Sequence, residues 1–323
     1  MKVAIMIMST EKQPSVRNVE AMKETMVWQT NDEQFKHDYT FFEYTYVDSD
    51  KPEDTVVDFF ADKEYPNYFY IKISGKESVY RTFEKTYVAF DFLLNDPKVS
   101  GKFDVFVRIN ISCYLNMRLL DAVIGQMNQH TVYANALNTL VNIEGPFPNA
   151  LYARGDFYII SRYILEGVMQ HATPLMHCDQ DLGSNRLAVT HVDDTLFGYA
   201  FIRFFGKNEY HKHLQMIKYN FLPMTSDERD YEFLKSEFGF NAISTRVKTT
   251  PPGMVSGYSW DDNDWRKHDS EKMKIVHKLL MDADYDYSKT TMDDILVSPL
   301  EERDALFVQA VNLKPYQIIA AMH

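Results

Sequence analysis

Phe103-Asp104-Val105-Phe106-Val107-Arg108-Ile109-Asn110-Ile111-Ser112-Cys113-Tyr114-Leu115 reads as a buried strand that stops abruptly in Arg-x-Asn-x-Ser. The apolar run is short and rich in β-branched and aromatic residues, which suits a strand covered on both faces. Before it, Ser78 to Leu94 carries Val79, Phe83, Tyr87, Phe90 and Leu94 on one helical face. Tyr68 to Ile73 and Tyr39 to Val47 read as strands, and Asn18 to Trp28 as a helix with Val19, Met22 and Met26 inward. Val3 to Met8 is a second fully apolar strand. Strand and helix therefore alternate over about the first 110 residues, the mark of an open, mostly parallel α/β sheet flanked by helices. Such sheets bind ligands beyond the carboxyl ends of their strands.

Beyond the quoted stretch the order loosens. Arg118 to Gln126 is predicted helical, Gly145-Pro146-Phe147-Pro148 a turn, and Tyr152 to Ile160 a strand leading into a helix over Ser161 to Met169. Asp194 to Phe205 reads as a helix with an aromatic stripe. Thr249 to Asp264, with Thr-Thr-Pro-Pro-Gly, is a loop and a candidate lid. Asp269 or Ser270 is expected to cap a helix bearing Met273, Val276, Leu279 and Leu280.

Composition narrows the function. The 323 residues are 45% hydrophobic, enough for a sizeable core, and 14% aromatic. A net charge of −12 argues against a dedicated nucleic-acid or anionic-membrane binder. Cys113 and Cys178 lie in no metal-binding spacing, and two cysteines make no disulfide scaffold. No segment approaches the roughly 18 apolar residues of a membrane span, and the N-terminal apolar run is too short for a signal peptide, so a cytoplasmic protein is expected. No P-loop, Gly-x-Gly-x-x-Gly, Gly-x-Ser-x-Gly or His-Glu-x-x-His sequence occurs.

The quoted strand and its ending resemble the β-1,3-galactosyltransferase and Fringe-like group of inverting glycosyltransferases, with their microbial and viral relatives. In that group a strand ending in a basic residue precedes Asp-x-Asp, and in some relatives the segment reads Arg-Thr-Asn-Leu-Ser. The likeness continues in order through Lys85-Thr86, Gly155-Asp156-Phe157-Tyr158-Ile159-Ile160-Ser161, Asp193-Asp194-Thr195-Leu196-Phe197-Gly198, and Arg246-Val247-Lys248 with Arg266. Five literal Asp-x-Asp tripeptides lie elsewhere in the chain, so the tripeptide alone selects nothing.

The resemblance implies a GT-A (Rossmann-like) domain over 1–285, its donor half about 1–115 and its acceptor and catalytic half about 116–285. A C-terminal helical extension follows over 286–323; its apolar residues suit a docked helix or a self-association arm that would make a homo-oligomer. The implied donor is a nucleotide-diphosphate sugar of UDP or GDP type, and the implied acceptor a glycan. An inverting transfer needs a base for the acceptor hydroxyl. Asp194, with Asp193 beside it, holds that place, although paired carboxylates at a helix start also cap it. The departing diphosphate needs positive charge, for which Lys85, Arg108, Arg246, Lys248 and Arg266 are candidates, each also a plausible salt-bridge partner. Ser9 and Thr10 follow the first strand as donor contacts or as helix caps. Gly155 and Asp156 fall on the acceptor side. The slot where the group holds Mn²⁺ or Mg²⁺ reads Asn110-x-Ser112 here, with His191 a further candidate ligand. Both residues of the slot are neutral, which puts a metal in question. Two other readings remain: a viral or phage transferase acting on a nucleic-acid base, and a non-catalytic nucleotide-sugar-binding relative.

Overall fold

The computed structural model describes residues 1–12, 15–33, 35–78, 81–99, 101–135, 137–140, 150–153, 155–173, 193–206, 209–222, 231, 234–247 and 268–297. The chain opens with β1 (Lys2–Met8), then α1 (Ser15–Met22), a π-helical stretch Lys23–Val27 and α2 (Trp28–Asp32). Next come β2 (Asp38–Val47), β3 (Val56–Ala61), β4 (Tyr68–Ser74), α3 (Thr82–Asn95), β5 (Val105–Asn110), β6 (Cys113–Leu115) and α4 (Met117–Val123). The strands β7 (Val132–Ala134), β8 (Leu137–Leu140), β9 (Ala150–Ala153) and β10 (Phe157–Ser161) lead into α5 (Arg162–Ala172). Then follow α6 (Asp193–Phe205), β11 (Leu214–Met216), β12 (Tyr219–Phe221), α7 (Glu237–Phe240), β13 (Ser244–Arg246), α8 (Asp269–Asp282) and α9 (Met292–Ile295).

The main sheet has eight strands in the order β11-β7-β10-β5-β1-β2-β4-β3. β1 pairs in parallel with both β2 and β5, and β4 and β11 follow the same direction. Only β10 and β3 run against it. This is the open, mostly parallel α/β sheet expected from the alternating pattern. Its centre follows the residue parity of β1. Ala4, Met6 and Met8 enter the core under α3, α5 and α6, while Val3, Ile5 and Ile7 enter the core under α1, α4 and α8. A strand buried on both faces must be apolar at every position, which is why periodicity there is continuous rather than alternating.

Several elements differ from the sequence reading. The helix expected over Asn18 to Trp28 is one helical run from Ser15 to Asp32 with a π turn inside it. The single strand expected over Tyr152 to Ile160 is two, β9 and β10, with residues 155 and 156 in a turn between them. Neither Asp269 nor Ser270 is the N-cap of α8: His268 holds that place without a side-chain capping bond, and both are buried in the first turn. β3 and the small sheet β12-β13-β6 were not anticipated. Residues 286–297 pack onto the body: the Asn116 amide donates to the Tyr287 hydroxyl at 3.0 Å, and Ile295 is buried. The candidate lid, the turn at 145–148 and the chain after 297 lie outside the described residues.

Candidate functional site

The parallel strands end together. Met8 is in register with Tyr44 on one side and Asn110 on the other, so the residues after β1, β2 and β5 share one edge. Ser9 and Thr10 are both buried there. The Ser9 amide donates to the Tyr44 carbonyl at 3.1 Å. Thr10 Oγ1 donates to Ser15 Oγ, at the first residue of α1, at 3.0 Å, so Thr10 ties down the helix start. Lys85, in the second turn of α3, points back to this edge. Its Nζ donates to the Ser9 carbonyl at 3.0 Å and pairs with Glu77 Oε1 at 2.5 Å, and the side chain is 1% exposed.

Asn110 ends β5. Its Oδ1 accepts from both the amide and the hydroxyl of Ser112 at 3.3 Å, which closes the Asn-x-Ser turn on itself. Its own amide donates to the Asp156 carbonyl at 2.9 Å, and the Ser112 carbonyl accepts from the Val247 amide at 2.8 Å. The small sheet thus rests directly against the end of the large one. Across this junction Arg246 Nη1 donates to Asp156 Oδ2 at 2.5 Å, with 13% and 4% of the two side chains exposed. Burial acts to lower the Arg246 pKa; the Asp156 carboxylate, together with Cys113 and Tyr219, raises it by more in sum, so the guanidinium is held charged.

Arg108 lies inside β5 and is wholly buried, with Nη2 3.5 Å from Met8 Sδ. It sits two residues before the partly exposed Asn110 and reaches no solvent. Among the described residues, then, Ser9, Thr10, Lys85, Asn110, Ser112, Gly155, Asp156 and Arg246 gather at one edge, with Arg108 behind them.

Asp193 and Asp194 open α6. The helix direction follows from its packing. Phe197 meets Phe83 and Phe90 of α3, while Phe204 meets Tyr163 in the first turn of α5. α5 leaves β10 at Ser161, which is in register with Val105 at the start of β5. The last turn of α6 therefore overlies the strand beginnings, and its backbone at 193–194 points to the strand ends, the edge that carries Asn110. Lys248, Arg266 and His191 lie outside the described residues.

Sequence reasoning missed Asn135. It is fully buried at the end of β7, and its Nδ2 is 3.5 Å from Asp156 Oδ2. The signal was present: an apolar run, Val132-Tyr133-Ala134, closed by an amide, as in β5.

For a divalent metal, the Asn110 and Ser112 oxygens are neutral and already bonded to each other. Among the described residues no group of three or more His, Cys, Asp or Glu side chains gathers as a metal site. Hard cations prefer carboxylate oxygens, so these two residues by themselves do not fit a resident Mn²⁺ or Mg²⁺. Chemically the edge offers amides, hydroxyls and one partly exposed cation, Arg246, to an anionic, oxygen-rich ligand.

No protein-family model matches the chain, and no curated protein sequence matches it. A solved chain described as a glycosyltransferase involved in the glycosylation of the major capsid of PBCV-1 aligns over 84% of this chain and 99% of its own, at 11% identity and a TM-score of 0.41. A likeness at that level leaves the function to the residues themselves. Among the described residues no helix is long and apolar enough to cross a membrane.

Proposed function

We propose that this chain is a GT-A-type glycosyltransferase that moves a sugar from a nucleotide diphosphate to a glycan hydroxyl with inversion. The observation that carries the reading is the convergence, at one carboxyl-terminal sheet edge, of the motifs that resemble that group: Lys85, Asn110-x-Ser112, Asp156, Arg246 and the start of α6.

In this reading the donor lies along the ends of β1 and β5. Ser9, Thr10 and the turn at Asn110 face its nucleotide and diphosphate, and Arg246 supplies charge next to the leaving group. Arg108 and Lys85, both buried, act through the field they set up and through the backbone they hold, rather than by direct contact. Asp194, aided by Asp193, takes the proton of the acceptor hydroxyl as its oxygen attacks the anomeric carbon. The bond from that carbon to the diphosphate oxygen breaks, and the nucleoside diphosphate leaves with the electron pair. Gly155 and Asp156 border the acceptor side.

The test is Asp194→Asn, which preserves shape and removes the base. Transfer should fall by at least about a hundredfold, within the range general-base catalysis contributes. UDP or GDP should still raise the melting temperature as in the parent. Near-normal turnover by the variant would remove the assignment.

A further inference from the structure

A cavity opens at the opposite edge of the sheet, where the parallel strands begin. It is open on one side, has a volume of about 260 Å³ and is lined by the start of β5, the end of β10, the first turn of α5 and the segment 124–131. Its polar wall is Asp104, Asn128, Gln129, Thr131, Ser161 and Arg162, and Tyr133 and Tyr163 supply two rings. The proposed function uses none of these residues.

The wall is laced in place before any ligand arrives. Ser161 Oγ donates to the Gln129 carbonyl at 2.5 Å, and the Asn128 amide donates to the Tyr133 hydroxyl at 2.9 Å. Asp104 Oδ2 accepts from the Lys2 amide at 2.8 Å. Arg162 Nε pairs with Glu166 at 2.6 Å while its Nη1 donates to the Phe103 carbonyl at 3.3 Å. At the mouth, Tyr163 is 53% exposed, and its ring stands T-shaped to His130 at 4.8 Å and to Phe204 at 6.1 Å.

We propose that this cavity is a sugar-binding site separate from the transfer site, which holds one pyranose ring of a glycan. Three features select that ligand class. Carboxylate, amide and guanidinium groups present donors and acceptors together, as a ring bearing several hydroxyls requires. A half-exposed tyrosine ring beside them offers aromatic surface to the apolar face of such a ring. The volume of about 260 Å³ suits one sugar ring, at the small end of ligand pockets.

Position gives the site its use. β5 separates the cavity from Asn110 by about 17 Å, at roughly 3.3 Å per residue, so the same molecule face cannot serve both. A long or branched acceptor held here is presented to the transfer edge at raised effective concentration. That use rests on the proposed function; the binding does not, and it is measured without donor or turnover.

The experiment is saturation-transfer NMR on the full chain with methyl glycosides of glucose, galactose, mannose, N-acetylglucosamine, rhamnose, fucose and xylose, each at millimolar concentration. At least one should receive saturation, and UDP and GDP should not displace it. Tyr163→Ala and Asp104→Ala should each weaken it about tenfold, while Tyr163→Phe, which keeps the ring face, should bind as the parent does. Melting curves show whether each variant is folded. Silence from the whole panel, displacement by either nucleotide, or undiminished binding in both alanine variants would overturn the proposal. If Asp194→Asn leaves transfer intact but glycoside binding behaves as described, the proposed mechanism falls and the cavity site stands.

Discussion

The ion pair between Asp156 and Arg246 joins the two sheets at the candidate site, and its removal has a calculable signature. Both side chains are largely enclosed, at 4% and 13% exposure, and the contact is 2.5 Å. Asp156→Asn leaves a charged guanidinium without its counter-charge in that enclosure, and breaking a buried pair from one side costs about 3–5 kcal/mol. Unfolding entropy of about 2.1 cal/mol/K per residue over 323 residues comes to roughly 0.7 kcal/mol/K. The melting temperature should therefore drop by about 4–7 °C. Arg246→Met strands the carboxylate and should cost a similar amount. The double variant Asp156→Asn with Arg246→Met removes both charges and keeps the volume, so most of the loss should return, to within about 2 °C of the parent. Differential scanning calorimetry of the four proteins gives the coupling directly. The same samples with UDP or GDP separate stability from binding: the double variant should be stable yet lose the nucleotide-induced rise shown by the parent. Single variants that melt within about 1 °C of the parent would refute the enclosure argument. A double variant that falls by the total of the two singles would refute the coupling.

At the other side of the sheet, Asp62 accepts from Tyr70 at 2.5 Å and from Lys23 at 3.0 Å; burial opposes ionisation, but these bonds and two backbone amides bring its pKa down to about 2. A depressed carboxylate contributes stability that is complete above the unfolded value of about 3.9 and is lost as the pH falls through the folded one. Asp62→Asn should therefore remove about 2 kcal/mol at neutral pH and flatten urea-unfolding stability between about pH 4 and 2, and an unchanged acid limb would count against the network. Within the α5–α6 contact, a Cβ on Gly167 would stand 2.1 Å from Phe204 Cε2. Gly167→Ala should cost about 1–3 kcal/mol, and Phe204→Ala in that background should recover part of it; a melting curve identical to the parent would show that the helices have room to spare.

The fold was legible where burial dictates residue type. β1 and β5 are apolar at almost every position because helices cover both faces, and the helices between them carry one apolar stripe each. What escaped has a different physics. β6, β12 and β13 are three residues long and owe their pairing to the strand ends they rest on, so no period marks them. β3 is an edge strand with one neighbour, and its burial is too irregular to alternate. The turn at Gly155 and Asp156 interrupts what looks like one continuous strand, since a glycine and one acid weigh little in a hydropathy pattern.

The charged residues show where sequence stops informing. Lys85, Arg108 and Arg246 share one sign and one edge, and sequence alone makes all three candidate phosphate contacts. Their surroundings separate them. Lys85 is committed to Glu77 and the Ser9 carbonyl, and Arg108 is enclosed within β5, whereas Arg246 remains partly exposed beside its carboxylate. Sequence gives the number of charges near a strand end; only the packing decides which of them a ligand can touch. A neutral Asn-x-Ser turn follows the same logic. Closed by its own hydrogen bonds, it leaves Arg246 as the cation with open surface among the three, so an anionic leaving group at this edge would meet a guanidinium held in charge and in place by Asp156.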